Sequence, residues 1–129
     1  MLHHISFGVQ DLRQSGRFYD AALSALGYRR VFADDTAIGY GLVDNEDLFC
    51  LKQRMGAAAP GSGFHLAFSA PSRSAVRAFH ANALSVGGQC NGAAGLREPY
   101  GQNYYAAFLI DPDGHHIEAV FKGLDIDCK

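Results

Sequence analysis

Residues Leu2 to Val9 alternate. His3, Ile5, Phe7 and Val9 fall on one face and His4, Ser6 and Gly8 on the other, the period-two pattern of a half-buried strand. Asp11 then offers an N-cap, and Leu12, Tyr19, Ala22, Leu23 and Leu26 recur at helical spacing until Gly27 supplies a stop. Three short β-prone runs follow: 29–32, Ala37 to Val43 and Leu48 to Gln53. Asp34-Asp35 and the polar run Asp44-Asn45-Glu46-Asp47 separate them. The predicted order is β-α-β-β-β. Residues 56–63, rich in Gly, Ala and Ser, read as a linker.

Beyond the linker the pattern restarts. His65-Leu66-Ala67-Phe68 repeats His4-Ile5-Ser6-Phe7 at an offset of 61 (65 − 4), and the register continues without a gap through Phe18 and Phe79, Ala22 and Ala83, Leu23 and Leu84, and Gly27 and Gly88. A second helix is expected over about Ser72 to Val86, with Val76, Phe79, Ala83 and Leu84 inward. A glycine-bearing stretch from Cys90 to Gln102 and an apolar run from Tyr104 to Ile110 complete a second β-α-β-β-β unit. Its last strand matches the first unit's last strand at an offset of 68, which sets Ile117 on Phe49, Glu118 on Cys50 and Ala119 on Leu51. The seven extra residues belong in the 90–102 stretch. The fold class is therefore α+β: two tandem βαβββ modules (about 1–55 and 64–123, with a tail at 124–129) whose curled mixed sheets pair into a barrel-like cavity, helices outside.

The last strand opens with Asp111-Pro112-Asp113-Gly114, which suits a type I turn with a local hydrogen bond to Asp111. Alternation then places Ile117, Ala119 and Phe121 on the core face and His116, Glu118 and Val120 on the other. By the same parity His4, His65 and Glu118 all belong to the open, concave faces. Two imidazoles and a carboxylate can hold a divalent ion such as Zn, Ni, Mn or Fe while leaving positions free for substrate or water.

Composition narrows the functional classes. A net charge of −2 without runs of like charge predicts neither nucleic acid nor an anionic membrane as partner, and no apolar segment approaches a membrane span. Met1-Leu2-His3-His4 does not open a signal peptide, so a soluble cytoplasmic protein is expected. Cys50, Cys90 and Cys128 are too far apart for metal-ligand spacing and odd in number, which fits reduced thiols.

The paired repeat, His4 followed by Asp11-Leu12 and Phe18-Tyr19, the recurrent His65-Leu-Ala-Phe, and Asp-Pro-Asp-Gly-x-x-Ile-Glu ending at Glu118 resemble the vicinal oxygen chelate superfamily, also called the glyoxalase, bleomycin-resistance and extradiol-dioxygenase superfamily. The resemblance implies metal ligands at His4, His65 and Glu118, with a fourth position falling on Cys50. It implies a small metal-dependent enzyme, a lyase or isomerase that chelates vicinal oxygens of a small molecule, with Glu118 as the catalytic carboxylate. It also implies a homodimer or a paired single chain; a homodimer is expected, in which His4 of one copy joins His65 and Glu118 of the other. Glyoxalase I enzymes generally use two carboxylates, and here Cys50 replaces one. Thiol transferases of the fosfomycin-resistance type share the two-His, one-Glu set, but Phe108 stands where they have a tyrosine. Extradiol dioxygenases add a further His, for which His116 is the nearest candidate, and metal-free small-molecule binding is the non-enzyme alternative.

Substrate contacts are expected from Ser6, beside the first His, and from the loop residues Arg97, Tyr100, Gln102, Asn103 and Tyr104. His3 is expected at a strand end or against a helix, His80 on a helix surface and His115 in solvent just after the turn. Arg13 and Arg17 fall on the polar helix face, and Gly39 and Gly41 complete no phosphate-binding loop.

Overall fold

The computed structural model describes residues 1–124; Cys128 lies outside them. Strand β1 (Ile5–Val9) leads into helix α1 (Leu12–Ser24), followed by β2 (Arg29–Ala33), β3 (Ala37–Val43) and β4 (Glu46–Gln53). The second unit repeats this with β5 (Leu66–Ser69), α2 (Arg73–Ser85), β6 (Gln89–Leu96), β7 (Tyr104–Ile110) and β8 (His116–Lys122). Each unit forms its own four-stranded mixed sheet, in the orders β1-β4-β3-β2 and β5-β8-β7-β6, with the first strand parallel to the last. The chain is thus two βαβββ modules, and the two sheets are not joined into a closed barrel.

Local chemistry sets these boundaries. The Asp11 carboxylate accepts from the Gln14 N–H and the Ser72 hydroxyl from the Ala75 N–H, so each helix starts on a side-chain cap. At the end of α1, Gly27 takes a left-handed φ of 94° while the Tyr28 N–H returns to the Leu23 carbonyl. The paired offsets of 61 and 68 are reproduced in the strand register: Ile5 pairs with Phe49, and Leu66 with Ile117. The 90–102 stretch supplies the second strand of the second module, the eight-residue β6, followed by a short 3-10 helix, Glu98–Tyr100. The extra length of the second module lengthens an antiparallel pair, because β6 finds a hydrogen-bonding partner in β7 despite its weak β-propensity.

The core faces carry Phe7, Val9, Phe49 and Leu51 from the first sheet and Leu109, Ile117 and Ala119 from the second, packed on Phe18, Tyr19, Leu23, Val76 and Phe79 of the helices. Burying each of the large side chains contributes roughly 1.5–3 kcal/mol. Leu84 departs from expectation: it is 40% exposed, because one position of rotation beyond Ala83 carries it off the buried stripe of α2. The two modules share this core. Phe7 packs edge-on against Phe64 and Phe49 against Phe68, and the Asn82 amide donates to the Ala21 carbonyl across the helices. With the helix-bearing sides joined, Ser6 and Ala67, which point the opposite way from the core residues beside them, remain exposed.

Candidate functional site

The site is positioned by the turn that opens β8. The Gly114 N–H donates to the Asp111 carbonyl, and Gly114 adopts a left-handed φ of 92° that a side chain would strain. The Asp111 carboxylate points inward, where it accepts from the backbone N–H groups of Asp113 and His115, from the His115 ring at Nδ1, and from the Tyr19 hydroxyl of α1 at 2.6 Å. His115 was expected in solvent and is buried. Its ring stacks on Phe7 at 4.1 Å and 9°, which is tolerable because the adjacent Asp111 satisfies its polar edge. Burial, followed by the Asp111 charge, pushes the Tyr19 hydroxyl well above its ordinary range, so it remains a neutral donor. One turn of the second module is thereby bolted to the helix of the first.

Three residues beyond His115, Glu118 leaves the opposite face of β8. Its Oε1 lies 2.5 Å from His65 Nε2, and its Oε2 accepts the Tyr104 hydroxyl at 2.6 Å. The Glu118 side chain is almost fully covered, whereas that of His65 is 42% exposed. Burial, then the hydrogen bond to Glu118, pushes the Tyr104 hydroxyl up to about 12. With Tyr100 and Phe108, these three residues line a cleft of about 380 Å³. The Phe108 ring lies 5.9 Å from that of His65 and carries the Arg97 guanidinium at 5.2 Å. Arg97 also donates to the Ala93 and Leu96 carbonyls, which fixes the β6 end against the cleft wall. Parity along β7 puts Phe108 on the side of Tyr104, the signal by which it could have been foreseen as a lining residue.

The other predicted site residues stand apart from this cleft. His4 is exposed ahead of β1, its Nδ1 2.8 Å from His3 Nδ1. Among the described residues no three His, Cys, Asp or Glu side chains gather as a metal site would require, so one chain brings together His65 and Glu118 but not His4. Ser6 sits on β1 in register with Cys50 of the first sheet. Cys50 is buried, and burial foremost, then the Asp47 charge, pushes its thiol up. Asn103 holds a left-handed turn (φ 62°) and its carbonyl accepts from the Gly123 N–H. Gln102 is exposed in the same turn. His116 is exposed and lines a separate pocket against Phe64 and Gly114 rather than the Glu118 cleft.

Comparison with known proteins bears directly on this architecture. The family model of the Glyoxalase/Bleomycin resistance protein/Dioxygenase superfamily matches residues 1–119. The chain belongs to that superfamily. A glyoxalase/bleomycin resistance protein from Albidiferax ferrireducens is 34% identical over 91% of this chain and 94% of its own, with a TM-score of 0.76. A glyoxalase-related enzyme from Fulvimarina pelagi is 27% identical over 94% and 87%, with a TM-score of 0.71. The fosfomycin resistance protein FosX from Mesorhizobium loti, at 18% identity over 96% and 93% and a TM-score of 0.66, shares the fold. No curated protein matches the chain. Among the described residues no helix is long and apolar enough to cross a membrane.

Proposed function

We propose that this superfamily member is a divalent-metal-dependent enzyme, a lyase or isomerase that binds a small substrate through adjacent oxygens, and that it works as a homodimer. The observation that carries this reading is the convergence of His65 Nε2 and Glu118 Oε1 to 2.5 Å at the floor of an open cleft. Two such donors suit a borderline divalent ion, but catalytic sites of this kind need at least a third protein ligand. The third is His4, which occupies in the first module the place His65 has in the second (65 − 4 = 61) and which a second copy would deliver.

The remaining residues have separable parts. The neutral Tyr104 hydroxyl fixes the Glu118 carboxylate through Oε2 and leaves Oε1 directed at His65. Glu118 is the group that takes and returns a proton. Phe108 and Tyr100 line the reacting end, while Arg97 and Asn103 of the same chain, and Ser6 of the copy that supplies His4, stand as further substrate contacts. A divalent ion bound here supplies Lewis-acid polarisation of the chelated oxygens.

Metal analysis of the loaded and dialysed protein tests the reading. Wild type should retain near-stoichiometric metal per chain, and His65→Ala and Glu118→Gln should lose it. Wild type without metal after loading refutes the proposal. Substrate class is then separated by absorbance assays with methylglyoxal and glutathione, by thiol addition to fosfomycin, and by oxygen uptake with catechols.

A further inference from the structure

The first module carries a half-buried carboxylate, Asp47, at the start of β4. Tyr40 pairs with Phe49, but the next pair is Gly41 with Asp47, so Leu48 is left over as a bulge in β4. Simple alternation back from Cys50 would put Leu48 on the open face and Asp47 on the core side. The bulge reverses this. Leu48 lines the apolar space between the modules with Ile5, Tyr40, Phe49 and Leu66, and Asp47 turns to the open face.

Gly39 fixes where Asp47 goes. Its neighbours in β3, Ile38 and Tyr40, are core residues, so a side chain at 39 would project from the open face. A Cβ built there falls 2.6 Å from Asp47 Cβ and 3.1 Å from its Cγ. The Asp47 carboxylate therefore occupies the volume a side chain at 39 would fill. Gly39 pairs with Cys50, and Cys50 with Ser6, so Asp47 lies over a row that crosses the open face toward the strand led by His4. The matching row of the second module is Phe108, Glu118 and Ala67, with His65 leading the strand.

Resting on the proposed metal site, we propose that Asp47 is its fourth protein donor, so that each module contributes one imidazole and one carboxylate: His65 with Glu118, and His4 with Asp47. Asp47 takes the part that strict register would assign to Cys50, whose thiol is turned to the Leu51 carbonyl and buried. An oxygen donor in place of a thiol favours a harder ion such as Mn²⁺ over soft, thiophilic ones.

The test uses the full-length protein in its native oligomeric state. Metal affinity is measured by competition with a chromophoric chelator, and the visible spectrum of the Co²⁺-loaded protein is recorded beside it. Asp47→Asn, nearly isosteric, should weaken affinity by roughly 10–100-fold and intensify the Co²⁺ bands as coordination number falls. Asp47→Glu should restore part of the affinity, Gly39→Ala should follow Asp47→Asn by displacing the carboxylate, and Cys50→Ala should leave affinity unchanged. Circular dichroism checks that each variant is folded. Wild-type affinity and spectrum in Asp47→Asn, with metal still lost in Glu118→Gln, would overturn the fourth donor and leave the metal-enzyme reading standing. A wild type that takes up no metal would overturn both.

Discussion

Removing the Tyr19 hydroxyl should destabilise the whole protein, although Tyr19 lies in the first module and its partner in the second. In Tyr19→Phe the ring keeps its packing among Phe7, Phe18, Tyr40 and Phe49, and only the bond to Asp111 Oδ2 is lost. Hydrogen bonds to charged groups contribute about 1.5–3 kcal/mol. Asp111 retains two backbone N–H donors and the His115 ring, which argues for the lower part of that range, about 2 kcal/mol. With an unfolding entropy of roughly 2.1 cal/mol/K per residue, 129 residues give about 0.27 kcal/mol/K, so the melting temperature should fall by about 7 °C. Thermal unfolding followed by circular dichroism at pH 7 and one fixed protein concentration measures this; the concentration is held because dimerisation would shift the midpoint by mass action. Tyr100→Phe, at a residue 63% exposed, serves as control and should move the midpoint by about 2 °C or less. A Tyr19→Phe midpoint within about 2 °C of wild type would show that the cross-module bond contributes little and that the buried carboxylate is satisfied without it.

Stability should also fall at alkaline pH in a way that depends on three tyrosines. Tyr19, Tyr40 and Tyr104 are all shifted upward, foremost by burial, and Tyr104 to about 12. The fold favours their neutral forms, so this contribution is complete below the ordinary tyrosine value of about 10 and is lost as pH rises through 12 and beyond. Urea midpoints between pH 8 and pH 12 should therefore decline in wild type and decline less in Tyr40→Phe; equal slopes would refute the assignment. Iodoacetamide should label the exposed Cys90 in the native protein well before the buried Cys50, whose thiol is pushed up by burial. Peptide mapping before and after urea treatment reads the order, and equal labelling of the two would contradict the burial of Cys50.

The duplicated pattern was readable because alternation and helical spacing both act over a few residues, and each half states them in full. His4 with Phe7 and His65 with Phe68 carried the offset, and the strand register then followed it residue by residue. What escaped the sequence depends on contacts between distant segments. His115 looked exposed because its neighbours are turn residues; its burial requires Phe7 and Tyr19, about a hundred positions away. Asp47 read as loop because it ends a run of polar residues, and only the pairing of β4 with β3 shows the bulge that turns it. The grouping of His65, Tyr104 and Glu118 was partly legible: parity put the His and Glu on one face, whereas the hydrogen bond from Tyr104 needs the β7–β8 pairing.

The two modules share a register yet differ where their open faces would meet a substrate. The residue paired with Glu118 is Phe108, and the residue paired with the equivalent Cys50 is Gly39. Phe108 provides an apolar wall beside a carboxylate that is already clamped by Tyr104 and His65. Gly39 provides the opposite, a vacant position into which a carboxylate from the next strand can lean. Exchanging the two types would therefore damage the modules differently. Phe108→Gly would widen the cleft and free the Arg97 guanidinium from its aromatic support, whereas a side chain at 39 would expel Asp47. A fold built by repetition can in this way keep one backbone plan while a single position, large in one copy and absent in the other, makes one half a wall and the other a cradle.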